Sequence, residues 1–352
     1  MLAFLFFAVL TAITAASYVP FNNARYLNDT LFREYVESKL AEAPATGWTS
    51  ILWVNTPHQA WPAKDGIVYI DYCYHSQRDW HRWFEVAEGA AKMWSDKVGK
   101  PSKRNGHRFG GFREYKRERI CRDSAGKWRS FIPSETLEIR SATDEEGGPF
   151  SAATGYTSKN YDDTAGRHFV AMYNDGEKSL EHYTVELAHE FGHVLGMVHE
   201  HQRYDRDTYV HFDCTKLAGY AEAKKTWDEK HEAERWPSMD IICASNWMGR
   251  RYLDWNAPAE YSMDMGATLG HKNPQQYPFD YDYKSIMGYE SWLHSAIIDD
   301  NPAHQPLVAW NEPAPGKRDK VTRENAHMIM AAWEISDDDA QFVGLAYHWW
   351  DE

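Results

Sequence analysis

The chain has 352 residues, a formal net charge of −14, 15% aromatic residues and 26% charged residues. The acidic balance argues against a nucleic-acid ligand, whose binding rests on cationic neutralisation of phosphates. Beyond the first residues no apolar stretch reaches the roughly 18 residues that a membrane span needs, so no membrane partner is expected.

Residues 2–13 form an uncharged apolar run, too short to span a bilayer comfortably, and the small residues Thr14, Ala15, Ala16 and Ser17 that follow offer a cleavage site. Residues 1–17 therefore read as a signal peptide and the protein as secreted, although the only positive charge ahead of the run is the α-amino group. Residues 18–50 read as a leader or pro-segment. Within it, Leu31, Tyr35, Val36 and Leu40 give an apolar helical face over residues 28–43, with Asn28 or Asp29 as cap and Pro44 as stop. Asn28-Asp29-Thr30 is a glycosylation sequon.

The globular domain is expected over residues 51–352. Ile67 to Ile70 reads as a strand. Trp80 to Val98 reads as a long helix with Trp83, Phe84, Ala87, Ala90, Ala91 and Trp94 inward. The basic cluster of Lys103, Arg104, Arg108, Arg113, Lys116, Arg117 and Arg119 reads as a solvated loop and hairpin, since acidic residues dominate elsewhere. Thr136 to Arg140 and His168 to Tyr173 read as further strands, and residues 180–195 as a helix. A long insertion occupies about residues 214–280, with a helix suggested by Leu217, Tyr220, Ala221, Lys224, Trp227 and His231. Lys320 to Trp333 suggests a C-terminal helix. This order fits an α+β fold, a mixed sheet with helices packed on it. The 16 Trp and 21 Tyr give ample bulk for a core, and about 300 residues after the leader suit one domain in two lobes.

The four cysteines, Cys73, Cys121, Cys214 and Cys243, fit disulfides in a secreted chain. None lies in a Cys-x-x-Cys pair, which argues against thiolate metal binding. Four cysteines allow three connectivities. Cys73–Cys121 with Cys214–Cys243 is preferred because each bridge closes a segment within one half of the chain.

The most informative stretch runs His189-Glu190-Phe191-Gly192-His193-Val194-Leu195-Gly196-Met197-Val198-His199. Residues four apart on a helix share a face, so His189 and His193 can aim ring nitrogens at one ion. Glu190 is rotated by about 100° from His189, which sets its carboxylate beside the metal, where it can take a proton from a metal-activated water. Gly196 tolerates left-handed dihedrals and lets the chain leave the helix and return with His199 as third ligand. Three protein ligands with one open position are the arrangement of a catalytic Zn2+ site.

The motif resembles the metzincin clan of zinc endopeptidases. His199-Glu200, with the run from Arg203 to Asp207 after it, resembles the astacin family, in which a Glu follows the third His. Tyr281 to Tyr289 contains Ser285-Ile286-Met287-Gly288-Tyr289, similar to the family's Met-turn. The resemblance implies that Met287 lies beneath the zinc. It also implies that Tyr289 is a switchable metal ligand that stabilises the transition state. Glu200 is implied not to bind zinc but to meet the mature amino terminus or a nearby water network. Two departures stand out: Gly288 where the family has His, and Met197 where it has Phe.

The resemblance further implies a two-lobed catalytic domain. A twisted mixed sheet and the active-site helix would form the N-terminal lobe; the C-terminal lobe would be mostly irregular and end in a helix. The strand at His168–Tyr173 would be the edge that pairs with an extended substrate. The expected function is a secreted, monomeric zinc endopeptidase acting on protein or peptide substrates. The alternative is an inactive secreted binding protein that keeps the fold. The intact Glu190 and three histidines argue against it.

Overall fold

Val68–Tyr74, VYIDYCY, is rich in β-branched and aromatic residues, and most of its side chains are buried. That is the composition of a strand covered on both faces. In the computed structural model this segment, β2, is interior to a five-stranded sheet. The structure describes residues 58–142, 150–174, 176–203, 205–234, 236–245, 247–263, 281–316 and 319–349. The expected signal peptide, leader, 28–43 helix and sequon lie outside the described residues, as does the stretch 264–280 of the insertion.

Strand β1 is His58–Gln59 and pairs with β6, Tyr156–Thr157. β2 runs parallel to β3, Phe109–Glu114, and to β4, Leu137–Ser141. β4 runs parallel to β7, Phe169–Met172. Parallel neighbours need a crossover, and helix α1, Gln77–Val98, supplies the one between β2 and β3. Ser76 caps this helix. Asp79 in its first turn accepts from the backbone N–H and hydroxyl of Ser141 (2.9 and 2.6 Å), which ties the helix start to the end of β4. The inward face is Trp83, Val86, Ala87, Ala90, Ala91 and Trp94, close to the set predicted. Its small residues let α1 lie against helix α2, Leu180–Leu195, and Trp94 Nε1 donates to the Ala188 carbonyl at 2.9 Å.

Three expectations are corrected. The basic stretch is not simply a solvated loop and hairpin: Phe109 and Phe112 are buried, and Phe109–Glu114 becomes a parallel edge strand whose Arg113 pairs with Asp71 of β2. The strand at Phe169–Met172 is not an edge. A further strand, β5 (Phe150–Ala152), adds to it antiparallel and takes the edge. Residues 320–333 do not form the C-terminal helix. Asn325 and Thr322 side chains bond the local backbone there, offering it a turn in place of a helix ladder. Ala326–His327, β10, then pairs with β9, Leu307–Trp310. The last helix, here α6, is Asp337–Ala346, started by a capping box between Ser336 and Asp339.

The second lobe has its own core. Val210, Ile242, Tyr261, Leu307 and Ile329 are among its buried members. Strand β8, Val210–Phe212, joins β9 and β10 in an antiparallel sheet. The insertion folds as helices α3 (Tyr220–Glu234), α4 (Met239–Ala244) and α5 (Met248–Leu253). Cys73 is bonded to Cys121 and Cys214 to Cys243, the pairing preferred from the sequence. Each bridge is worth about 3–4 kcal/mol on loop-closure arguments.

Beside the first bridge, the fully buried carboxylate of Glu138 accepts from Arg122 Nε and Nη2 (2.6 and 3.1 Å) and His75 Nδ1 (2.9 Å). Burial raises its pKa, but the bonds and charges of His75 and Arg122 outweigh that and hold it below the ordinary value. A carboxylate with a lowered folded pKa stabilises the fold above its unfolded pKa, and the contribution is lost as pH falls through the folded value. Glu138→Gln is expected to cost roughly 3 kcal/mol at neutral pH. It should also flatten the loss of stability below the ordinary glutamate range. Urea unfolding at a series of pH values reads both effects.

Candidate metal centre and active site

Helix α2 carries the first half of the site. Ser179 caps it, its side chain accepting from His182 N. Tyr183, Leu187, Phe191, Val194 and Leu195 bury its inner face, and Phe191 stacks on Phe112 with ring centroids 3.9 Å apart. The helix stops at Gly196, whose φ of 106° is left-handed, a conformation glycine adopts without steric cost. Met197 N then donates back to the Gly192 carbonyl at 3.0 Å, and His199 swings to face the helix.

The three imidazoles converge. His199 Nε2 lies 3.2 Å from Nε2 of both His189 and His193. Ligands at about 2.0–2.1 Å from a tetrahedral zinc ion sit roughly 3.3–3.4 Å apart, so this spacing fits one ion. Each Nδ1 has an acceptor: the Ile286 carbonyl for His189 (2.6 Å), the Met197 carbonyl for His193 (3.0 Å) and Gln202 Oε1 for His199 (3.2 Å). An acceptor at Nδ1 puts the N–H there and leaves the Nε2 lone pair facing the centre. Burial lowers the pKa of all three rings, and the charges of neighbouring rings add to this at His193, which falls to about 3, and at His199. They are therefore neutral, the state that metal ligation requires. Among the described residues, no other group of His, Cys, Asp or Glu has this geometry.

Glu190 is buried beside the cluster, and its Oε2 has no hydrogen-bond partner. Burial, then the charges of Glu186 and Glu260, push its pKa well above the carboxylate range. A divalent cation next to it acts in the opposite sense.

The second half of the site comes from the turn at Ser285–Tyr289. Gly288 N donates to the Ser285 carbonyl at 3.0 Å. Asp339, at the start of α6, accepts from Ser285 Oγ (2.7 Å) and Ile286 N (2.9 Å). Glu200 N donates to the Met287 carbonyl at 3.0 Å. Met287 is buried under α2 at Gly192, where any Cβ would overlap its sulfur. The Gly288 departure thus leaves the turn well tied. The Met197 departure leaves the His193 bond intact, because that bond uses a backbone carbonyl.

Tyr289 packs its ring on His199 and His201, with centroids 4.5 and 4.1 Å away, and its hydroxyl donates to Glu260 Oε2 at 3.1 Å. Burial and then the Glu260 charge raise its pKa well above the usual phenol value, so it keeps its proton as a donor. Glu200 is buried. Its Oε1 accepts from Arg203 Nη1 (2.8 Å) and Asp282 N (3.2 Å). Arg203 also pairs with Asp205.

The structure thus brings His189, His193, His199, Glu190, Met287 and Tyr289 together, with Gly196 as the turn and Glu200 behind. Sequence reasoning missed Gln202, Glu260 and Asp339. Gln202 stood inside the motif but has no fixed chemistry. Asp339 was legible only as a residue in an acidic run before a helix. Glu260 carries no local signal at all.

Residues 178–236 match the family model Astacin (Peptidase family M12A). Among solved structures, the chain is similar to high choriolytic enzyme 1, a hatching-enzyme zinc-protease from the medaka fish Oryzias latipes. The TM-score is 0.40 at 16% identity, covering 82% of this chain and 94% of that one. It is also similar to two structures of myroilysin, each with a TM-score of 0.39. One is 16% identical and covers 85% of this chain and 98% of that one; the other is 17% identical and covers 82% and 85%. No curated protein matches the chain. The matched segment and the histidine cluster define a zinc metalloendopeptidase. The astacin match is confined to residues 178–236, which hold all three histidines, and zinc is the cofactor that this segment implies.

Two outcomes are expected. Gln202→Ala, which frees His199 Nδ1, should weaken zinc retention about 10–100-fold, measured by competition with a chromophoric chelator. Gly192→Ala should cost roughly 1–3 kcal/mol by overpacking against Met287, read from urea unfolding.

Proposed function

We propose that the protein is a secreted endopeptidase in which Glu190 is the general base and Tyr289 the oxyanion donor. The observation that carries this reading is the convergence of the three Nε2 atoms beside the unpartnered Glu190 Oε2. Zinc held by His189, His193 and His199 supplies a Lewis acid that polarises the scissile carbonyl and acidifies the attacking water. Glu190 takes the proton of that water and returns it to the leaving amine, so one carboxylate serves as base and then acid. The Tyr289 hydroxyl donates to the oxygen that gains charge, an interaction made in the transition state. Glu200 and Arg203 act behind the ligands, holding the segment after His199 against the Met-turn.

The substrate is a protein or peptide, taken in extended form along the free edge of β5. That edge passes close to the ligands: Gly155 N, three residues beyond β5, donates to the His193 carbonyl at 2.9 Å. Secretion is supported by the apolar run at residues 2–13 and by the two disulfides. Among the described residues no helix is long and apolar enough to cross a membrane. We take the working form to be a monomer, with residues 1–17 as signal peptide, 18–50 as leader and 51–352 as the peptidase domain.

A casein assay with chelator and zinc rescue tests the assignment. Activity is expected to vanish with chelator and return with zinc. Glu190→Gln should abolish turnover with one zinc still bound, and full proteolysis by that variant would refute the mechanism. Tyr289→Phe should leave KM nearly unchanged and lower kcat, because the lost bond belongs to the transition state.

A further inference from the structure

The insertion reaches the active site. The short 3-10 helix Ala257–Tyr261 ends one turn of chain against the metal-binding segment, and Glu260 on it makes three bonds there. Its carbonyl oxygen accepts from His201 Nε2 at 2.8 Å and from Gln202 Nε2 at 3.1 Å. Its carboxylate accepts from the Tyr289 hydroxyl at 3.1 Å. The other face of Gln202 holds His199 Nδ1. The seat is firmly tied within the second lobe. Arg206 Nη1 donates to the Tyr261 carbonyl, the Tyr261 hydroxyl donates to the Leu293 carbonyl, and Ser262 Oγ donates to the Ala244 carbonyl at 2.6 Å. Tyr261 is fully buried. Glu260 also lies outside residues 178–236, the segment that carries the family match.

We propose that Glu260 is a positioning residue for Tyr289: its carboxylate fixes where the hydroxyl sits, while its carbonyl steadies Gln202 and through it His199. The insertion is therefore part of the catalytic apparatus rather than an ornament on the second lobe. The two halves of the residue act separately. A side-chain substitution removes the hold on Tyr289 and leaves the carbonyl, so turnover and metal retention come apart. This inference rests on the reading of Tyr289 as the oxyanion donor. A phenol whose hydroxyl has lost its acceptor is no longer oriented, and the bond it makes in the transition state weakens while ground-state binding does not.

The experiment uses Glu260→Ala, Glu260→Gln and Tyr289→Phe, singly and with Glu260→Ala combined with Tyr289→Phe. Glu260→Ala is expected to lower kcat roughly tenfold, the worth of a hydrogen bond to a charged group. KM should move less than about twofold, and zinc should stay at one per chain. Glu260→Gln, whose amide oxygen still accepts, should recover most of the turnover. In the Tyr289→Phe background Glu260→Ala should have no further effect, because residues that act as a unit are non-additive. A readout independent of activity is the visible absorption of phenolate bound to copper in the copper(II)-loaded protein. It should strengthen in Glu260→Ala, where the hydroxyl has lost its competing partner, and be absent in Tyr289→Phe. Normal kcat and an unchanged copper spectrum in Glu260→Ala, beside an impaired Tyr289→Phe, overturn the Glu260 proposal alone. Full turnover in Tyr289→Phe overturns the reading of Tyr289 and this proposal with it. Additive losses in the double variant overturn the coupling.

Discussion

Helix α2 and the turn at Ser285–Tyr289 approach so closely that there is no room for a Cβ at Gly192, and the rest of the site depends on that approach. The segments are about a hundred residues apart in the chain, yet His189 Nδ1 bonds the Ile286 carbonyl and Glu200 N bonds the Met287 carbonyl. Two backbone carbonyls that would otherwise be buried without donors are satisfied by the metal-binding segment itself. The orientation of His189 and the position of Tyr289 therefore follow from the same contact. Asp339 extends the tie to the last helix, since its carboxylate serves both the Ser336 cap and the Met-turn.

Burial sets the electrostatics. The imidazoles are kept neutral by desolvation, and Tyr289 is kept protonated by desolvation and then by the Glu260 charge. Glu190 is the exception, since the same burial favours its proton, and a cation at the histidines would act against that. The orienting partners differ in kind. Two are backbone carbonyls, fixed by the fold. The third, Gln202, is a side chain that itself needs the Glu260 carbonyl, which makes His199 the ligand most exposed to changes in the insertion.

Much of the site was legible because it is local. The spacing from His189 to His199 is a property of one helix and one glycine turn, so periodicity and dihedral preference sufficed. The long α1 helix and the strands at β2, β4 and β7 were legible for the same reason. What was missed depended on partners. The Phe109–Glu114 strand was obscured by its charges, and only Asp71 on β2 explains Arg113. The three residues of β5 are too few to show a period, and without them β7 looked like an edge. Residues 320–333 carried apolar spacing compatible with a helix, but Asn325 and Thr322 bond the backbone as a turn and β9 offers a strand partner.

The sequence by itself located the three histidines, Glu190 beside them and the segment that matches the astacin model, because each is written within a few turns of chain. It also determined that the cysteines were better suited to bridges than to metal. The tertiary structure alone decided which carbonyls orient the histidines, which strand forms the edge, and that Glu260 meets Tyr289. The Glu260–Tyr289 and His189–Ile286 pairs, for example, join residues 29 and 97 positions apart. Such pairings are selected by which packing buries the apolar faces and satisfies the buried polar groups together, and no local pattern encodes that choice.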